Sequence, residues 1–343
     1  MRGGRARRRL LAAAALGGAG AAIQWRHMRA IAADPEQARL RTAPSGRPLS
    51  VRSRDGTQLH VEVFGPQSGP PVLLAHGWTE SLRLWTLVIE RLGAKGMRVV
   101  AYDLRGHGAS GRAAGDDYSL ARFGEDVEAV LAAALPGERA TIAGHSLGAM
   151  SIVAWAEHHD VRARAGAAAL VNTGVGELLA EQLLIGVPAI ANALNRAFPP
   201  AGLLSARAPL PRFSTPLSHA LVRYTAFGPA ASHAQVAFYE RMLIACPPDV
   251  RATVGITLSE LDLRHAVPRL NVPTLVVAGD CDRLTPPAHA RRIAAQLPQL
   301  HSLVILEQTG HMSPLERPDA ISEGLAELAA LAGLEARHAI PAP

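Results

Sequence analysis

Ala140-Thr-Ile-Ala-Gly-His-Ser-Leu-Gly-Ala149 joins a short apolar run to a helix-compatible stretch that continues to His158. The junction, Gly144-His145-Ser146-Leu147-Gly148, spells Gly-x-Ser-x-Gly between an expected strand and an expected helix. That context defines a nucleophile elbow, a turn too tight for ordinary side chains at its two glycine positions. Such a turn lifts Ser146 clear of the sheet. It also aims the first helical N–H, that of Leu147, at a developing negative charge.

Working outward from the elbow, continuous apolar runs alternate with helical periodicity. Val72–Ala75 and Val99–Tyr102 read as buried strands, with a helix around Trp85–Leu92 between them. Leu120–Leu135 is helical, and Ala167–Val171 is the strand after the elbow helix. Val51–Phe64 alternates around Asp55-Gly56 and reads as a hairpin. Strands Pro273–Ala278 and Ser302–Leu306 and a closing helix, Ala320–Leu331, complete the pattern. Continuous apolar strands separated by helices imply a mostly parallel sheet covered on both faces.

The alternation breaks after Asn172 for roughly 95 residues, far beyond an ordinary connection. Glu177–Phe198 is apolar with helical period, Pro199–Pro216 is proline-rich, and His219–Phe227, Ser232–Ala245 and Thr253–Leu261 read as helices. The expected organisation is therefore a core in two parts, 49–173 and 269–334, with a helical cap at 174–268 and a tail at 335–343.

The chain carries a formal net charge of +6, but residues 1–33 hold seven Arg and no acid. The remainder is close to neutral, so nucleic acid is not an expected partner. An Arg-rich start followed by the uncharged run Leu10–Ile23 reads as an export signal or an uncleaved anchor across residues 1–23; the bland alternative is an Ala-rich extension. Export or membrane attachment is expected on the first reading and a cytoplasmic protein on the second. Residues 24–48 read as a linker with a short helical stretch around Ala30–Leu40. Two cysteines, Cys246 and Cys281, supply neither metal-ligand spacing nor a disulfide framework.

A serine hydroxyl near neutral pH needs a base, and the base needs an orienting acid. His311, in Gln308-Thr-Gly-His311 after the last strand, is the base candidate. Asp282, in Gly279-Asp-Cys-Asp282, is the acid candidate, with Asp280 as its nearest rival. Asp282 stands further out on its loop, whereas Asp280 is placed to bind backbone N–H groups. The order Ser, Asp, His is the one this architecture uses. His145 adjoins the serine but points away from it, and His76 shapes the loop. Asp103 and Arg105 make local turn contacts. Two backbone donors complete the oxyanion site, Leu147 N–H and Trp78 N–H at the end of the Val72–Ala75 strand. After the Ala167–Val171 strand, where an acid could also stand, the chain has Asn172-Thr173.

His76-Gly77-Trp78, Asp103-x-Arg-Gly-His-Gly108, Gly144-His-Ser-Leu-Gly148, Gly279-x-x-Asp282 and Gly310-His311 together resemble the α/β-hydrolase-fold proteins of the esterase, lipase and cofactor-free haloperoxidase-like group. The resemblance covers about Val51–Leu331. It implies an eight-stranded sheet with a lid inserted after the sixth strand, and a triad of Ser146, Asp282 and His311. The expected chemistry is hydrolysis of a small-molecule carboxylic ester, with a lipophilic or small acyl group, needing neither metal nor organic cofactor. Serine at the elbow argues against dehalogenase and epoxide-hydrolase chemistry, which use an aspartate there. Perhydrolase or haloperoxidase-like activity and acyl transfer on the same triad stay open, as does a non-catalytic ligand-binding protein on this scaffold.

Overall fold

The computed structural model describes residues 20–42, 44–178, 207, 210 and 212–338. Residues 1–19 of the expected export signal lie outside them, as does nearly all of Glu177–Phe198 and most of the proline-rich stretch that follows.

Eight strands form one sheet: β1 (Arg47–Arg52), β2 (Gln58–Phe64), β3 (Pro71–Ala75), β4 (Arg98–Tyr102), β5 (Ala140–His145), β6 (Ala165–Val171), β7 (Thr274–Gly279) and β8 (Leu300–Leu306). Their spatial order is β1-β2-β4-β3-β5-β6-β7-β8. The β1–β2 hairpin is antiparallel, with Val51 opposite Leu59, and β2 pairs antiparallel with β4. Every other pairing is parallel, β3 lying between β4 and β5 with Leu73 opposite both Val100 and Ile142.

The strands alternate between two cores. Leu73, Ala75, Val100, Tyr102 and Ile142 face one apolar cluster, which includes Phe123 and Trp155 from the Leu120–Ala134 and Leu147–His158 helices. Val72, Leu74, Val99, Ala101 and Ala143 face the other, which includes Trp85, Ile89 and Leu325. Burial on both faces explains why β3, β4 and β5 read as unbroken apolar runs rather than alternating ones.

Between β6 and β7 the described chain contains the helices Pro216–Ala226, His233–Ala245 and Pro248–Ser259. Thr215 and Ser232 each close a capping box, which sets where the first two begin. The expected linker is more ordered than its composition suggests. Residues 20–33 and Glu36–Arg41 are helical, with Ile31 and Leu40 buried. Asp34 accepts from Ala234 N–H at 3.0 Å and Glu36 accepts from Ser232 Oγ at 2.6 Å, fastening this segment to the helical insertion. Both cysteines are free thiols. Among the described residues no helix is long and apolar enough to cross a membrane.

Candidate active site

The elbow is built by backbone geometry. Ser146 sits between β5 and its helix at φ 49° and ψ −116°, a conformation that costs a non-glycine residue about 1–3 kcal/mol. The strain is held by neighbours on both sides. Ser146 N–H donates to Val171 O at 2.9 Å, and the Thr173 hydroxyl donates to Ser146 O at 3.0 Å. A Cβ at Gly144 would lie 2.3 Å from Ala149 N, and one at Gly148 would lie 2.3 Å from Ala75 O. Both positions therefore require glycine, as the motif implies.

Asp282 and His311 meet. His311 Nδ1 lies 2.8 Å from Asp282 Oδ2. A carboxylate only accepts, so Nδ1 carries the proton and Nε2 is left as the basic nitrogen. Asp282 is 2% exposed and takes four further hydrogen bonds. Leu284 N–H and Thr285 N–H donate to Oδ1, each at 2.9 Å. The Thr285 hydroxyl at 2.9 Å and Asn172 Nδ2 at 3.0 Å donate to Oδ2. Burial alone would raise the carboxyl, but the His311 ring and these donors outweigh it and hold Asp282 below its ordinary value. Asp280, by contrast, is exposed and accepts from Thr309 N–H at 3.1 Å.

Ser146 and His311 line one cavity of about 300 Å³. No hydrogen bond between the Ser146 hydroxyl and the His311 ring is among those of the described residues. In ligand-free sites this contact is often long and tightens only around the substrate. The remaining walls are mostly apolar, from Met150, Val222, Leu243, Leu258 and Leu284, with Arg251 as a cationic contribution. Among the described residues, neither Trp78 N–H nor Leu147 N–H is used by an acceptor within the protein. Two unspent amides near the serine are what an oxyanion site needs.

Other residues hold these groups without entering the cavity chemistry, and most had no sequence signal. His145 Nε2 donates to His311 O at 2.8 Å, and its Nδ1 faces Glu80 Oε2 at 3.1 Å. Burial lowers an imidazole, but the Glu80 carboxylate outweighs it and raises His145 toward its charged form. Glu80 also accepts from Gly77 N–H at 2.5 Å, so one buried carboxylate braces the Trp78 loop and the elbow together. His76 accepts from Leu104 N–H at 2.9 Å and donates to Gly77 O at 2.7 Å. Asn172, at φ 46°, bridges Asp282, Gly310 O and the Ser313 hydroxyl. Glu316 accepts from Gly310 N–H at 3.0 Å and from Gly228 N–H at 2.8 Å, and burial pushes it up to about 7.

One expectation is corrected. Arg105 is no local turn contact. It is fully buried and binds Asp126 through two bonds at 2.6 and 2.7 Å and Asp55 at 2.7 Å, tying the hairpin to the Leu120–Ala134 helix. Asp103 does serve its turn, accepting from Ala109 N–H at 2.8 Å, and it also accepts from Leu82 N–H at 2.7 Å.

Comparison with known proteins agrees with this architecture. A model of the alpha/beta hydrolase fold matches residues 70–318. 3-Oxoadipate enol-lactonase 2 of Acinetobacter baylyi is 27% identical over 276 residues, 78% of this chain and 91% of that protein. Probable oxidoreductase EphD of Mycobacterium tuberculosis is 26% identical over 301 residues, covering 82% of this chain but 49% of EphD, so the chain spans about half that relative's length. A thermophilic esterase from Thermogutta terrifontis superposes with a TM-score of 0.65 over 83% of this chain and 99% of its own, at 21% identity, a likeness of fold. The family match and the lactonase relative are consistent with a hydrolase. With most of its length inside the matched family model and the mostly parallel eight-stranded sheet that its sequence leads one to expect, the chain belongs to the α/β-hydrolase fold family.

Proposed function

We propose that this hydrolase cleaves a carboxylic ester through an acyl-enzyme on Ser146, with His311 as base and Asp282 as the acid that orients it. The observation that carries this reading is the 2.8 Å His311–Asp282 bond at the wall of the cavity that Ser146 shares. It leaves Nε2 free to take the Ser146 proton as the hydroxyl attacks the ester carbonyl. The oxyanion gathers on Trp78 N–H and Leu147 N–H. The ester C–O bond then breaks, and His311 returns the proton to the departing alkoxide. A water molecule, deprotonated by the same nitrogen, attacks the acyl carbon and releases the carboxylic acid and Ser146. Asp282, held ionised by five donors, stabilises the imidazolium formed in both halves.

The apolar walls favour a lipophilic acyl or alkyl group, each buried CH₂ contributing about 0.8 kcal/mol. We read the three helices between β6 and β7 as the cap that supplies this selectivity. Lactones, the cyclic esters named for the Acinetobacter baylyi relative, fall within the same substrate class.

A fluorophosphonate probe tests the assignment. Wild-type protein should label, and Ser146→Ala should neither label nor turn over a short p-nitrophenyl ester, with a loss of roughly 10⁴-fold or more. Near-normal turnover in a folded Ser146→Ala protein overturns the reading.

A further inference from the structure

The Pro216–Ala226 helix has two apolar faces. Val222 and Ala226 turn inward and line the cavity. Leu217, Leu221 and Tyr224, spaced four and three residues apart, share the opposite face at 80%, 61% and 45% exposure. Phe213, just before the helix, is 61% exposed. Helix 20–33 lies alongside: Gln24 Nε2 donates to Ser214 O at 2.8 Å, and the His27 ring lies 2.9 Å from the Ser214 hydroxyl. That contact brings the exposed Ile23, Trp25 and Met28 to the same neighbourhood. Seven of the ten large apolar residues exposed among the described residues thus gather around one short junction. A soluble surface rarely concentrates them so.

The exposed charge on helix 20–33 has one sign, and the acid at the junction, Glu240, is buried against Ser218 and His219. Arg26 and Arg29 sit between the apolar positions of helix 20–33, with Arg29 stacked 4.7 Å over the Trp25 ring. The chain ahead of them carries five more Arg and no acid, then the uncharged run Leu10–Ile23 that leads into the helix. The first acids, Asp34 and Glu36, are turned to Ala234 and Ser232.

We propose that the exposed faces of helix 20–33 and of Pro216–Ala226 together dock onto an anionic lipid bilayer. Aromatic and aliphatic side chains interleaved with arginine suit the headgroup boundary, where the apolar groups enter and the guanidinium groups meet phosphate. A second copy of this chain suits it poorly, because a two-fold contact sets the same arginines against one another. Docked in this way, the helix that touches lipid on one face lines the cavity with the other, so a lipophilic ester has a short route to Ser146. That last consequence rests on the hydrolase reading above; the docking does not.

Co-sedimentation of the full chain with vesicles tests the proposal, using phosphatidylglycerol mixed with phosphatidylcholine against phosphatidylcholine alone. Wild-type protein is expected to bind the anionic vesicles more tightly, and added salt to weaken that binding. The double variant L217D/L221D is expected to lower it by at least about tenfold while turnover of a soluble short ester is unchanged. If circular dichroism shows the aspartates unfold the helix, L217Q/L221Q carries the same test. Absence of wild-type binding overturns the proposal. So does binding that the double variant leaves intact, which assigns it to the basic start alone. A lipid-free dimer that the double variant dissociates overturns it too, because a second copy then covers the face. Sedimentation reads docking and ester turnover reads catalysis, so each can fail without the other.

Discussion

At the ends of β3, β5, β6 and β7 the cavity wall presents polar groups fixed by directional bonds, whereas the inserted helices, though anchored by bonds such as His311 N–H to Ala226 O at 2.8 Å, present mostly apolar side chains to the cavity. On the first side Asp282 takes five donors, Asn172 spans three partners, and Glu80 fixes the Trp78 loop and His145 at once. On the second side Val222, Leu243 and Leu258 supply apolar lining, beside Thr225, Tyr239 and Arg251. Hydrogen bonds set position to fractions of an ångström, which proton transfer needs. Apolar packing sets volume, which tolerates substitution of like size. On the proposed hydrolase reading, the difference makes reactivity and selectivity separable: one would be specified by bonds to the sheet, the other by what the insertion leaves empty.

The sharpest way to break that division is at Asp282. Asp282→Asn keeps the size but removes the carboxylate that holds His311 Nδ1–H, and kcat should fall roughly 10⁴-fold. Asp280→Asn, on the exposed side of the same loop, should change it little. Steady-state kinetics on a p-nitrophenyl ester checks the ranking, and the reverse order would break the assignment.

A smaller effect is expected where the two walls are joined. Glu316 binds Gly310 beside His311 and Gly228 at the end of the Pro216–Ala226 helix. Its folded value lies near 7 against an ordinary 4.5, so between these the folded chain keeps a proton that the unfolded chain has released. Its contribution to stability is then complete below about pH 4.5, falls as pH rises through that window, and levels above about 7, by roughly 3 kcal/mol. Chemical denaturation across pH should show this fall in wild-type protein and not in Glu316→Gln. A fall that persists in Glu316→Gln would assign it to another group.

The smallest effect is expected on the apolar wall. Leu243→Trp fills cavity volume without touching a bond of the other wall. It should lower kcat/KM for long-chain esters by roughly tenfold, the worth of about two buried CH₂ groups, and leave short esters unchanged. Uniform loss across chain lengths would show that the two walls are not separable.

Much of the scaffold was legible because it is written locally. Unbroken apolar runs marked the five strands, β3 to β7, that the cores bury on both faces, and Gly144 and Gly148 marked a turn that leaves no room for a Cβ. Asp282 was distinguishable from Asp280 by its place on the loop, and the structure puts Asp282 on the His311 ring. What was not legible depends on residues brought together from far apart. Glu80, Asn172 and Glu316 carry no motif of their own; their roles arise because His145, Asp282 and Gly228 lie distant in sequence and close in space. Arg105 was read as local because its partners Asp55 and Asp126 stand in segments that only the fold makes adjacent. Residues 24–48 read as a linker because their helices are stabilised by the insertion, some 200 positions later, rather than by their own composition.

The sheet order has a practical consequence. The family match begins at residue 70, beyond β1 and β2, yet β2 is the strand that pairs with β4 along Val61–Phe64. An expression clone cut at the match would strip that partner away and leave β4, buried at every position, as a naked ladder of amides and carbonyls on an oily ribbon. Such an edge recruits other chains, so the shortened protein would aggregate for want of a hairpin that contributes no residue to the cavity around Ser146.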